Sequence, residues 1–162
     1  MLSALKHISS GDGFSGETQG TVTLDFDSRR RRRIRLVRDD GVAFLLNLPE
    51  VSTLREGDFL LLEDNTAILV KAASEAVVDI RCDDTAHLVR VAWHLGNRHL
   101  PTQLMGDCLR IRQDHVIEEM VQILGATPKR LNAPFNPEGG AYGHGETHGH
   151  DHGDNGGHNH AH

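Results

Sequence analysis

AVVDIRCDDTAHLVRVAWHLGNRHLPTQLMGDCLRIRQDHVIEEMVQILGATPKRL, residues 76–131, is the stretch from which the fold can be read. Ala76-Val77-Val78-Asp79-Ile80 has the composition of a strand, and Asp83 or Asp84 stands where a helix running to about Leu95 needs its N-cap. Leu88, Ala92 and Leu95 recur at i, i+4 and i+7, Val89 and Trp93 widen that apolar face, and Gly96-Asn97 ends it. Gln103 to Met105 and Cys108 to Ile111 are short strands joined across Gly106-Asp107. Asp114 can cap a second helix with the stripe Val116, Ile117, Met120, Val121 and Leu124, closed by Gly125. Lys129-Arg130-Leu131 supplies a last strand. The order β-α-β-β-α-β is the split ferredoxin-like arrangement, and it delimits a domain at 74–133.

Upstream, residues 1–73 read as a small all-β domain. Val22, Leu24 and Phe26 alternate with Thr21, Thr23, Asp25 and Asp27, the period of a strand with one buried face. Arg33-Ile34-Arg35-Leu36 repeats it, Asp39-Asp40-Gly41 signals a turn, and Val42 to Leu46 pairs back as a hairpin. Phe59 to Leu62 and Ala67 to Val70 follow Gly57-Asp58 and Asp64-Asn65, so five or six short strands predict a sandwich or barrel. Downstream, 134–162 reads as a disordered tail. It has too little apolar surface to repay an ordering entropy of about 1–2 kcal/mol per residue. The fold class is therefore α+β: all-β domain, ferredoxin-like domain, His-rich tail.

The composition excludes several functions. A formal charge of -6 gives no general attraction to nucleic acid or anionic membrane, and 4% aromatics leave few stacking surfaces for bases. No run approaches the roughly 18 apolar residues of a membrane helix, and Lys6-His7-Ile8-Ser9-Ser10-Gly11 is not a signal peptide. Cys82 and Cys108 form no CxxC, as expected of core thiols in a reducing cytoplasm. There is no GxGxxG, P-loop, HExxH or GxSxG, so the chain reads as a carrier and not an enzyme.

Histidine carries the functional signal. Twelve are present, and His144, His148, His150, His152, His158, His160 and His162 all lie in the last nineteen residues. Neutral imidazole suits Ni, Zn, Cu and Fe, and a Gly- and His-rich tract offers several exchangeable sites, as a carrier or store needs. An expression tag would be an unbroken His run, whereas Gly, Asp, Asn, Glu146 and Thr147 interrupt this one; an inert polar tail is the other bland alternative. By the Irving–Williams order Cu(II) would bind the tract more tightly than Ni(II) or Zn(II). Over 136–162 such a chain has a reach of about 30 Å.

In the folded part, His99 follows a helix end with Pro101 close behind, so its ring should project from an exposed turn. One imidazole is a poor site, but a residue on the two-fold axis of a homodimer is supplied twice. His87 and His94 lie about 10 Å apart along one helix, too far to share an ion, and read as packing or surface residues. His115 beside Asp114 is an auxiliary ligand or part of a cap. Arg29-Arg30-Arg31-Arg32-Arg33 is open to three readings: phosphate binding, contact with an acidic protein partner, or a solvated hairpin offset by Asp25, Asp27, Asp39 and Asp40. With no aromatics interleaved, nucleic acid is the least favoured of the binding readings.

His94-Leu-Gly-Asn-Arg-His99, followed by Pro101 and Gln103, resembles the signature of the UreE family of urease accessory proteins. So do Gly57-Asp58-Phe-Leu, Leu62-Glu63-Asp64, Asp114-His115-Val-Ile-Glu-Glu-Met120, Leu124-Gly125 and the histidine tail, from about Thr18 onward. The resemblance implies a peptide-binding β domain, a ferredoxin-like domain and a homodimer with a central metal site, His99 being the interfacial nickel ligand and the tail histidines added ones. It implies a metallochaperone that carries Ni(II) as cargo, with the GTPase of urease maturation, the other accessory proteins and, through their complex, apo-urease as partners. A Ni or Zn store without delivery is the alternative. Some members carry a further histidine pair on the strand before the second helix; here that strand reads Leu109-Arg110-Ile111-Arg112 and is assigned no ligand.

Overall fold

A computed structural model describes residues 1–139; the seven tail histidines from His144 to His162 lie outside the described residues, as does all of the expected disordered tail 134–162 except 134–139. In that piece Pro134 ends a strand and Phe135 is buried. The chain is α+β with two sheets, as the sequence predicts. The first sheet holds β1 (Ser3–Ile8), β2 (Thr18–Leu24), β3 (Arg30–Val37), β4 (Ala43–Thr53), β5 (Phe59–Leu62) and β6 (Ala67–Ala72) in the order β2-β6-β5-β1-β4-β3. Each strand sends alternate residues to one core that includes Ala4, Val22, Leu36, Phe44, Leu46, Leu60 and Val70, all nearly or fully buried. One curled sheet thus surrounds its own apolar face.

Three features differ from the sequence expectation. Ser3–Ile8 is a strand that pairs parallel to β4 and antiparallel to β5, although Lys6 and His7 spoil its apolar alternation. The strand expected to include Phe26 stops at Leu24. Asp25 accepts the Ser28 N–H at 2.8 Å and caps a single turn, α1 (Phe26–Arg29), so local capping wins over strand alternation. The hairpin is present, but β4 runs on through Pro49 to Thr53. It does so by a bulge, since Arg33 faces Asn47 and Arg31 faces Ser52.

The second sheet contains β7 (Ser74–Arg81), β8 (Gln103–Leu104), β9 (Cys108–Arg112) and β10 (Thr127–Pro134), all antiparallel, in the order β10-β7-β9-β8. With α2 (Thr85–Asn97) and α3 (His115–Ile123) this is the predicted β-α-β-β-α-β fold. Val78, Ile80, Leu109 and Ile111 point to the helices and meet Val91, Leu95, Ile117 and Val121. Their strand neighbours face the other way. There Asp79, opposite Arg110 in register, forms a two-pronged ion pair with it at 2.7 and 3.0 Å.

That second face receives the N-terminal domain. Phe26 packs edge-on against Phe135, ring centroids 5.4 Å apart, with Val77 completing a small buried cluster. Arg29, fully buried, donates to the carbonyls of Leu54 and Phe135 and to Asn136 Oδ1, while Arg112 pairs with Asp27 at 3.0 Å. Chain past β10 is held too: Phe135 is fully buried, and the Asn136 and Glu138 N–H groups donate to Gln103 Oε1 and the Thr102 carbonyl.

Candidate metal centre

The geometry begins with α2. Asp84 accepts the His87 N–H at 2.7 Å and caps the N-terminus, one of the two positions read from sequence. The buried face is His87, Val91 and Leu95, flanked by Leu88 and Ala92. Val89 and Trp93 do not widen it. They stand one turn apart on the outer side, 62% and 63% exposed, which for a Trp and a Val on one helix is a large apolar surface left in water.

The helix ends where the sequence places its stop, with Gly96-Asn97 as its last residues and Arg98 as C-cap. His99 N–H donates to the Gly96 carbonyl at 3.0 Å and Leu100 N–H to the Leu95 carbonyl at 3.3 Å, the paired reverse bonds of a Schellman C-cap. That cap needs one residue in the left-handed region, and the residue there is His99, at φ +54°. Leu100 turns inward to the domain core and Pro101 prevents continuation. His99 itself is exposed, so the cap leaves its imidazole in solvent at the cost of backbone strain of about 1–2 kcal/mol. The sequence signal for this was the apolar-Pro pair after His99, not the glycine before it.

The other histidines of the folded part have different tasks. His87 is buried: its Nδ1 accepts the Asp83 N–H at 3.1 Å and its Nε2 lies 2.7 Å from the Leu124 carbonyl, tying the start of α2 to the end of α3. His94 is half-buried with its ring 5.1 Å from that of Trp93. His115 is exposed at the first turn of α3, where Asp114 caps through Val116 and Ile117 N–H. His7 pairs with buried Asp58 at 2.7 Å. Cys82 and Cys108 are free thiols, and burial pushes both pKa values up, away from metal-binding thiolate. Among the described residues no three His, Cys, Asp or Glu side chains converge on one point, and His99 has no second such side chain grouped with it.

An exposed imidazole on a left-handed cap, with no catalytic cluster grouped around it among the described residues, is a surface feature rather than an active-site constellation. Family comparison places the chain. The UreE urease accessory protein N-terminal domain model matches residues 1–73 and the C-terminal domain model matches residues 75–162. The chain belongs to the UreE family of urease accessory proteins, a family of accessory chaperones and not of enzymes. It is 59% identical over 122 residues to a urease accessory protein UreE of Rhodopseudomonas palustris (strain BisB18), covering 75% of this chain and 58% of that one. A UreE of Chelativorans sp. (strain BNC1) is 49% identical over 75% of this chain and 77% of its own, and one of Ruegeria pomeroyi 45% identical over 85% and 90%. The chain spans only 58% to 59% of the length of the first three curated relatives it matches. No helix among the described residues is long and apolar enough to cross a membrane.

Proposed function

We propose that the protein is a homodimeric nickel carrier that delivers Ni(II) for maturation of the urease active site. The observation that carries this reading is His99: an exposed imidazole kept on a left-handed cap where glycine would cost less, at the end of a helix that leaves Val89 and Trp93 exposed. Two copies meeting through Val89 and Trp93 bring two His99 rings to one axis, and a symmetric pair of borderline nitrogen ligands holds a divalent ion loosely enough to be passed on. Histidines 144, 148, 150, 152, 158, 160 and 162 then add imidazoles, raising capacity and letting the ion move one ligand at a time. Zn(II) and Cu(II) compete for the same nitrogens. Partners on this reading are the urease-maturation GTPase, the other accessory proteins and, through them, apo-urease, all in the cytoplasm.

The test is nickel calorimetry on the full chain, His99→Ala, and a chain ending at residue 139. His99→Ala should lose the tightest site, and the truncation should lower stoichiometry while keeping that site. The truncation point is chosen because residues through Glu138 are bonded to the fold. Unchanged tight-site affinity in His99→Ala sinks the reading. Nickel-dependent capture of the maturation GTPase separates delivery from storage.

A further inference from the structure

The arginine run is split by the fold into one buried residue and an exposed row. Arg29 is inside, at the joint between domains. Arg31, Arg32, Arg33 and Arg35 are exposed on β3, and they have no ion pair or side-chain hydrogen bond among the described residues. β3 is an end strand of its sheet. Its register partners on β4 opposite Arg31, Arg33 and Arg35 are Ser52, Asn47 and Leu45, so no carboxylate lies across from them.

The four aspartates nearest in sequence do not offset these charges, because each has another task. Asp25 caps α1, Asp27 pairs with Arg112, Asp39 accepts from Thr21 and Thr23, and Asp40 pairs with Arg38. Like charges in adjacent positions repel; with those four aspartates committed, and Glu50 in the β4 bulge between Asn47 and Ser52 making no ion pair with the row, that repulsion stands. An anionic partner relieves it.

We propose that the outer face of β3 is a docking surface for an acidic segment of a partner protein, laid extended along the strand. Arg33 and Arg35 alternate with inward Ile34 and Leu36, so they stand about 7 Å apart on one face, the spacing of alternate side chains in a second strand. An end strand accepts such a segment by main-chain pairing, with arginine forks meeting carboxylates for register. Nucleic acid fits less well, since β3 has no aromatic residue on which bases can stack and Phe44 of β4 is buried. The proposal is independent of the metal centre.

Fluorescence anisotropy of the full chain with a labelled peptide alternating glutamate and threonine tests it, against a lysine–threonine peptide and an oligothymidylate of matched charge. Replacing Arg31, Arg33 and Arg35 together by serine should weaken the glutamate peptide about tenfold, three exposed pairs being lost. Because these side chains are exposed and unpaired, the unfolding temperature of the variant should match the parent. Wild-type protein should bind the glutamate peptide more tightly than the oligonucleotide and leave the lysine peptide free. Equal affinity of parent and variant, preference for the oligonucleotide, or no binding of the glutamate peptide overturns the proposal.

Discussion

His99 shows how one residue can be placed against its own backbone preference. Left-handed φ costs a non-glycine residue about 1–2 kcal/mol, and glycine in its place costs about 0.5–1 kcal/mol more chain entropy. His99→Gly should therefore raise stability by about 0.5–1 kcal/mol in urea unfolding while abolishing the tight nickel site proposed above. A destabilised variant would show that the cap is not strained. Asp58 gives the opposite kind of residue, one that the fold rewards. Burial pushes its carboxyl pKa up, but hydrogen bonds from His7, Arg55 N–H and Ser10 N–H outweigh that and hold it below the usual carboxylate value. A folded-state pKa below the unfolded one stabilises above about pH 4 and is lost as pH falls through the folded value. Unfolding temperature should thus drop below about pH 4, and Asp58→Asn should flatten that dependence while costing about 1–3 kcal/mol at neutral pH. A pH profile unchanged by Asp58→Asn would assign the acid sensitivity elsewhere.

Among the elements, α2 is the one on which the proposed dimer rests. Trp93 is 63% exposed, so replacing it by Asp leaves the domain core untouched and alters only what the helix offers to a partner. If the Val89–Trp93 face joins two copies, Trp93→Asp should weaken the dimer at least about 30-fold in sedimentation, as a central Trp anchor worth about 2 kcal/mol implies. Nickel affinity should fall with it. A monomeric parent, or a variant dimer of unchanged strength, moves the interface elsewhere. The same helix shows what sequence could tell. Caps at Asp84 and Asp114, the turn glycines Gly106 and Gly125 and the strand alternation around them made the ferredoxin-like order legible, because each of those signals is local. Periodicity placed Val89 and Trp93 on the apolar face, since a helix that is also apolar on its outer side has no phase from which to tell the two sides apart. The β1–β4 and β2–β6 parallel pairings leave no local mark, and a strand as mixed as Ser3–Ile8 is defined by its neighbours on both edges.

At the scale of the whole molecule, the sequence run of five arginines concealed its most consequential member. Nothing in composition distinguishes Arg29 from Arg30 to Arg33, yet the turn capped by Asp25 carries Arg29 into the joint, where one guanidinium serves two domains. It holds the Leu54 carbonyl on the N-terminal side and Phe135 and Asn136 on the C-terminal side, over the Phe26 ring. Burial pushes its pKa down, and the nearby Glu75 carboxylate pulls it back up. Glu75 also accepts the Phe26 N–H at 2.9 Å, so it fixes the same turn from the other domain. Replacing Arg29 by Met keeps most of the buried volume but leaves the Leu54 and Phe135 carbonyls without that donor, at about 1–3 kcal/mol for each buried group. Because those two carbonyls belong to different domains, the loss falls on their coupling as well as on the stability of either. Parent protein should unfold in one calorimetric transition, and Arg29→Met should unfold in two, the first lowered by the equivalent of about 2–5 kcal/mol. The ferredoxin-like core and the His99 cap contain none of these contacts, so the nickel affinity of the folded variant should stay at the parent value. A single, unshifted transition in Arg29→Met would mean that the Phe26–Phe135, Asp27–Arg112 and Glu75–Phe26 contacts hold the domains together without it.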